Sequence, residues 1–357
     1  MKSRKLKAMA VTLVLTLLLG VIGQAETLES AGGSIADVYE RVSPAVLQVR
    51  NIIETWTQEN GAVKEVAAYA SGVYIEEGYV LTNWSAIYEA DEIEIETLDG
   101  RIVYAKDTFV DESVDLAVLE LEEPLEGIEP VELGDSESLR PGELSIVIGN
   151  PVLLERVYPG TVTAGIISGV KRSSEGMGYF NRSVPLIQLD AALNMGSSGG
   201  GLFNLKGELI GLTTLKAGLV DEMLYEGMSF AIPAETIRRV AGDLVAYGVV
   251  RRPRMGIMVS DLDGPEEPIR NYPPQGLMVS EIDETGPAAQ AGMMLYDVIM
   301  EFDGVRVHNF TELSALIDQH EAGDTVHVLA YRCLDDEGYM IDDPQYVEFD
   351  IELGILD

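Results

Sequence analysis

The chain has 357 residues, enough for two domains with separate cores. Its 60 acidic against 24 basic side chains give a formal charge of −36, which excludes nucleic acid and anionic membrane surfaces as partners, since both require a basic face. The single cysteine, Cys333, excludes an intrachain disulfide and a cysteine-rich zinc site, so the hydrophobic core alone must hold the fold, and no cofactor is expected.

Lys2, Arg4, Lys5 and Lys7 precede an apolar run from Met9 to Gly23, and Gly23-Gln24-Ala25 offers small residues where a signal peptidase reads them. Residues 1–25 are therefore expected to form an export signal. A retained membrane anchor is the alternative, because the run is near the short limit for a spanning helix. Removing residues 1–25 takes away four basic and no acidic side chains, so the charge moves from −36 to −40. So acidic a surface serves solubility through mutual repulsion.

Ile35, Val38, Tyr39 and Val42 recur at helical spacing, and Ser43-Pro44 ends that helix. Strands begin at Ala45–Arg50. Residues 54–69 are polar and mixed, and a long loop is expected there. From Ser71 to about Ile232, short apolar runs alternate with turn signals such as Glu77-Gly78, Asp99-Gly100, Pro141-Gly142 and Lys206-Gly207. Many strands of this length argue a sandwich or barrel. Glu235 to Tyr247 reads as a closing helix. Arg251-Arg252-Pro253 links to a second unit, with strands around Ile257–Val259, Gly276–Glu281, Val298–Phe302 and Val326–Arg332. Its one helix starts at Phe310, with Leu313, Leu316 and Ile317 as the apolar stripe.

The chemistry gathers in Asn194-Met195-Gly196-Ser197-Ser198-Gly199-Gly200-Gly201-Leu202. Glycine reaches φ > 0 without a Cβ clash, so such a run can turn sharply and present a serine hydroxyl. It can also aim the N–H groups of Gly196 and Ser198 at one point, the arrangement of an oxyanion hole. The plain alternative is a flexible Gly/Ser loop. Leu202 to Leu212, two strands joined by a Gly-containing turn, favours a nucleophile loop in a barrel.

With these residues in hand, the chain resembles the HtrA/DegP family of exported, trypsin-like serine proteases with a C-terminal PDZ domain. The likeness runs from Ile35 to the end. It rests on Ser71-Gly72-Val73, Gly78-Tyr79-Val80-Leu81-Thr82-Asn83, Val114-Asp115-Leu116-Ala117-Val118-Leu119, Gly149-Asn150-Pro151, Thr161 to Ser168, the Ser198 loop and Phe230-Ala231-Ile232-Pro233. Gly286-Pro287-Ala288-Ala289-Gln290-Ala291-Gly292 and Asp303-Gly304 look like a PDZ signature. The resemblance implies a mainly β fold: a chymotrypsin/trypsin-like double six-stranded β-barrel over residues 26–250, then an α+β PDZ domain over 251–357. It implies Ser198 as nucleophile, Asp115 as orienting carboxylate, and Gly196 and Ser198 as oxyanion donors.

The family's catalytic histidine should follow Thr82-Asn83 by two residues, but Ser85 stands there, and no histidine precedes His308. A serine hydroxyl is a poor nucleophile until a neighbouring base takes its proton. Imidazole suits that task because its pKa lies near neutrality; the Ser85 hydroxyl cannot act as a base. In subtilisin, loss of the histidine alone costs about a million-fold in turnover. Further departures are Ser197 before the nucleophile, Met195 and Gly201 in place of prolines, and Leu189 in place of threonine. Gly201 is expected to loosen the loop.

Three functions stay open on these residues. One is a pseudoprotease that keeps the fold and binds peptides or unfolded proteins as a chaperone or adaptor. The second is an active endopeptidase using a lysine as base, with Lys64, Lys171, Lys206 and Lys216 as candidates. The third is a structural role in the envelope. In the second unit, Met255, Gly256 and Ile257 stand where the family's carboxylate-binding loop would be. A peptide C-terminus would add as a strand beside Met258-Val259, with Leu313 and Leu316 lining the other wall. The alternative is that these apolar residues are ordinary core. Tyr296 replaces a glycine before Asp297, and Cys333 is expected to be a half-buried thiol. The family's trimers would have to form here through residues 26–50.

Overall fold

The computed structural model describes residues 33–355 except 58–60, 175–176, 178–179, 181–183, 217–218, 221–222, 225–226, 270–271 and 336–337. The expected leader thus lies outside the described residues. The chain divides into two compact units, Met1–Gly248 and Val249–Asp357.

Helix α1, Ile35–Val42, opens the first unit. The Ser34 hydroxyl accepts from Asp37 N–H while the Asp37 carboxylate accepts from Ser34 N–H, a reciprocal cap for two otherwise orphaned donors. Its spacing buries Val38 and Val42. Pro44, in a short 3₁₀ turn, ends it. Six strands follow: β1 Val46–Thr57, β2 Gly61–Glu76, β3 Tyr79–Thr82, β4 Glu92–Glu96, β5 Ile102–Asp111 and β6 Leu116–Leu121. They close a barrel in the order β1-β2-β3-β6-β5-β4. Of the loop expected over residues 54–69, the described residues 54–57 and 61–69 are instead paired strand, in a ladder from Val46↔Val73 out to Thr57↔Gly61. The outer part of β2 is exposed on both faces, so no apolar alternation marks it. Between β3 and β4 lies one helical turn, α2, Trp84–Ile87.

The second barrel is built from β7 Leu144–Gly149, β10 Thr161–Ser173, β11 Pro185–Leu189, β12 Gly201–Phe203, β13 Leu209–Lys216 and β16 Ser229–Pro233. Its order is β10-β11-β16-β13-β12-β7, also closed. Two small hairpins interrupt it: β8 Val152–Leu153 with β9 Arg156–Val157, and β14 Leu219–Val220 with β15 Met223–Leu224. Val147, Ile167, Ile187, Leu189, Leu202 and Ile210 fill its interior. Helix α3, Ala234–Tyr247, buries Ile237, Val240, Ala241 and Leu244 and ends at Gly248, whose left-handed φ of 76° lets its N–H bond Leu244 O.

The second unit is a five-strand antiparallel path, β18-β19-β20-β22-β23, with β21 paired to β20. Its strands are β17 Pro253–Arg254, β18 Ile257–Leu262, β19 Gly276–Ile282, β20 Val298–Phe302, β21 Val305–Arg306, β22 Thr325–Leu334, β23 Met340–Glu352 and β24 Gly354–Ile355. β23 was not expected, because exposed polar residues occupy most of its length and only Phe349 and Ile351 are buried. α4, Pro287–Gln290, and α5, Phe310–Ile317, complete the unit. Cys333 is fully buried in β22 rather than half-buried, and burial pushes its thiol pKa up. Tyr296 keeps the left-handed turn that a glycine would make, at φ 67°. Among the described residues, no helix is long and apolar enough to cross a membrane.

Candidate functional site

The Ser198 loop joins β11 to β12, and its two glycines with left-handed φ are irreplaceable locally. At Gly196, φ 86°, a Cβ would lie 2.8 Å from the Asn150 carbonyl. At Gly199, φ 80°, it would overlap the Ser71 carbonyl and lie 2.6 Å from Thr82 Oγ1. Hydrogen bonds then fix the turn from both barrels. Ser71 N–H donates to Ser198 O at 2.8 Å, and Ser71 Oγ donates to Gly196 O at 2.7 Å. Gly199 N–H reaches Thr213 O at 2.8 Å, and Thr213 Oγ1 donates to Ser197 O at 2.6 Å. Such a loop is not a flexible linker. The N–H groups of Gly196 and Ser198 donate to no acceptor among the described residues.

Gly201 does not loosen this loop, as its replacement of a proline suggested. It opens β12, paired with both Leu212 and Ile148, and a Cβ there would run into the Phe203 ring. The bulk of Phe203 dictates the glycine. Met195, by contrast, is 81% exposed and holds the loop only through its carbonyl, which accepts from Val152 N–H at 2.7 Å.

Asp115 is 1% exposed and caps a 3₁₀ turn with a left-handed backbone, φ 55°. Its Oδ1 accepts from Ser85 N–H and its Oδ2 from Thr214 Oγ1, each at 2.8 Å. Burial raises its pKa above the ordinary carboxylate range, against the pull of the hydrogen bonds from Ser85 and Thr214. Asn83 Nδ2 bonds the Asp115 carbonyl at 3.0 Å, so β3, α2 and the Asp115 turn are locked together. Ser85 sits half-buried on α2, its backbone already on the carboxylate. Ser198 Oγ donates to the Thr214 carbonyl at 3.0 Å. Thr214 thus meets both groups, yet a backbone carbonyl takes no proton from serine.

Ser198, Asp115 and Ser85 are therefore brought to one place, with no base between them among the described residues. None of the candidate lysines bonds Ser198 among the described residues. Lys64 pairs with Glu92 at 2.8 Å on the surface, which raises its pKa, the reverse of what a general base needs. Lys206 is exposed near Glu208, Lys171 is exposed, and the Lys216 side chain lies outside what is described. Sequence reasoning missed Thr214, Ser71 and Asn150. Ser71 and Asn150 lie inside quoted motifs, but their role as ties appears only when the two barrels meet; Asn150 N–H donates to Ser71 Oγ at 2.8 Å.

In the second unit, β18 is an edge strand and its backbone is open on one side. Gly256 precedes it with φ 78°, and its N–H has no acceptor among the described residues. Met255 and Leu313 are both 2% exposed, so each is core rather than a groove wall. Both belong to the buried cluster that also holds Leu277 and Phe302. Ile257, Val259, Leu316 and Ile317 are half-buried against that core and keep accessible apolar surface. All three histidines lie in this unit beside carboxylates: His308 on Glu312, His320 on Asp303 and His327 on Asp350.

Residues 70–212 match the trypsin-like peptidase domain family, and residues 253–351 match the PDZ domain family. The chain is 31% identical over 331 residues to the serine protease Do-like HtrA of Lactobacillus helveticus, covering 84% of this chain and 79% of that relative. It is 34% identical over 266 residues to the periplasmic serine endoprotease DegP of Escherichia coli, covering 74% of this chain. It spans about half, 54%, of DegP's own length. Among solved structures, the HtrA-type protease AlgW with a decapeptide matches at TM-score 0.69 and 26% identity, covering 91% of this chain and 99% of that one. A serine endoprotease from Yersinia pestis matches at TM-score 0.62 and 28% identity, covering 91% and 99%. Two closed six-strand barrels, a serine loop between glycines and a following PDZ domain agree with these matches: the chain belongs to the HtrA/DegP family.

Proposed function

We propose that this chain is a proteolytically inactive member of its family that binds peptides or unfolded proteins, serving exported-protein quality control as a chaperone or adaptor. The observation that carries this reading is the hydroxyl of Ser198, which donates to the Thr214 carbonyl where the triad chemistry needs a base. Ser85 supplies only a backbone N–H and a hydroxyl to Asp115. Curated relatives are named as serine proteases, so the departure belongs to this chain's own residues. The test is a fluorophosphonate probe, which reacts only with an activated serine. No labelling of Ser198 and no turnover of casein are expected. Labelling that vanishes in Ser198→Ala would show a working base and end this reading.

The peptide site of the proposal is the groove beside β18, where Gly256 and Ile257 N–H groups receive a terminal carboxylate. The match to AlgW with a decapeptide supports it. Peptides with a free, apolar C-terminus are expected to bind the full chain at micromolar levels, and C-terminal amidation to weaken them about tenfold by removing a charge-assisted pair of hydrogen bonds. Fluorescence anisotropy with matched peptides reads this directly. We further propose export, supported by residues 1–25 and by relatives named periplasmic, with a mature N-terminus near Glu26. A homotrimer through residues 26–50 is part of the same proposal, and light scattering would measure it.

A further inference from the structure

Resting on that peptide-groove reading, we propose that Asp261 and Phe310 make the groove selective for a lysine or arginine four residues before the peptide's C-terminus.

A peptide with its carboxylate at Gly256 ends where β18 begins, so it runs antiparallel to β18. Each step back along the peptide then advances one residue along the strand. The last residue lies beside Ile257, the third from last beside Val259, and the fifth from last beside Asp261. The count holds because β18 is regular: the irregularity between Met258 and Val259 places the extra residue, Ser280, on β19. Ile257 and Val259, with Leu316 and Ile317 of α5, give the first two of these positions an apolar floor.

At Asp261 the chemistry changes. Its Oδ1 accepts the N–H of Phe310, the first residue of α5, at 2.9 Å, which sets the carboxylate at the helix end of the groove. Its Oδ2 has no partner among the described residues. The Phe310 side chain is 54% exposed. Neighbouring cations are committed elsewhere: Arg306 donates to the carbonyls of Glu266 and Gln275, and His308 lies on Glu312. Asp263, exposed two residues further on, adds charge of the same sign. An open carboxylate oxygen beside an exposed ring fits a cation on an apolar stem, which pairs with the one and lies along the other.

The test uses the full chain and decapeptides with one common apolar ending, differing only at the position four before the end. Lysine there is expected to bind about fivefold tighter than alanine, and glutamate about fivefold weaker, at low salt. The spread should shrink at 0.5 M salt. Asp261→Asn still accepts from Phe310 N–H, so it should remove most of the lysine–glutamate difference and leave the alanine peptide unchanged; Asp261→Lys should reverse the order. Equal binding of the three peptides, with amidation still weakening each, overturns the selectivity and leaves the groove. Equal binding of amidated and free peptides, or no binding at all, overturns the groove reading and this inference with it.

Discussion

Ser85→His is expected to switch on peptidase activity in the chain proposed above to be inactive. The backbone of residue 85 already donates to Asp115 Oδ1 at 2.8 Å, so the side chain at this position starts beside the carboxylate that must orient it. Each carboxylate oxygen has a second lone pair, so Asp115 can accept an imidazole N–H without losing Ser85 N–H or Thr214 Oγ1. The other imidazole nitrogen then replaces the Thr214 carbonyl as acceptor for the Ser198 hydroxyl, and the free N–H groups of Gly196 and Ser198 receive the oxyanion. Histidine is worth about a million-fold in subtilisin. A misplacement of about 1 Å costs roughly a hundred-fold, and an allowance of that size is made for the bulk of neighbouring Trp84, which packs edge-on against Tyr88. A gain of roughly ten-thousand-fold over the unmodified chain follows, measured on a fluorogenic peptide.

Its pH dependence has a definite sign. The base must be neutral imidazole and Asp115 must be ionised, and both conditions fail as pH drops. The imidazole, whose pKa lies near neutrality, sets the acid limb, and the raised pKa of buried Asp115 acts in the same direction. The activity must vanish in Ser85→His/Ser198→Ala. A folded Ser85→His that labels with no fluorophosphonate would mean the loop no longer presents Ser198, and would leave the first unit a binding role alone.

The same residues show how far the sequence could be read. Short apolar runs between Gly turns pointed to a sandwich or barrel, because strands such as β6, β7 and β16 are buried almost throughout, and the family resemblance made it two barrels. β23 and the outer β1–β2 hairpin were missed because both are exposed on both sides, and backbone pairing leaves no mark on side-chain pattern. Ser198 was legible from its run of glycines, whereas Asp115 and the vacancy at Ser85 were legible only through the family resemblance. Thr214, which bonds the groups on both sides of that vacancy, was not, since it lies sixteen residues beyond Ser198 and ninety-nine beyond Asp115. Met255 and Leu313 were misplaced for a related reason: an apolar residue next to a groove and one beneath it look alike in sequence.

Gly199→Ala is expected to destabilise the first unit severely, and Gly78→Ala only mildly. Both glycines have left-handed φ, 80° and 86°, so both substitutions share the backbone cost of about 1 kcal/mol. They differ in what surrounds the new methyl. At Gly78 nothing lies within 4 Å. At Gly199 the methyl meets the Ser71 carbonyl, which is itself held by Thr82 Oγ1 at 2.8 Å, while Ser71 N–H holds Ser198 O. That neighbour is backbone and cannot swing away, so relief requires the two barrels to part along the Ser71–Ser198 contact. Overpacking of this kind costs a further 1–3 kcal/mol or so, giving a loss of about 3 kcal/mol and a fall in Tm of roughly 10 °C. Gly78→Ala should lower Tm by roughly 3 °C. Calorimetry on the two variants decides whether the serine loop is a packed element or a flexible tether: a tether would give both substitutions the same small shift. A packed loop also predicts that Gly199→Ala in the Ser85→His background abolishes the new activity below its own Tm, since the strain falls on the residue next to the nucleophile.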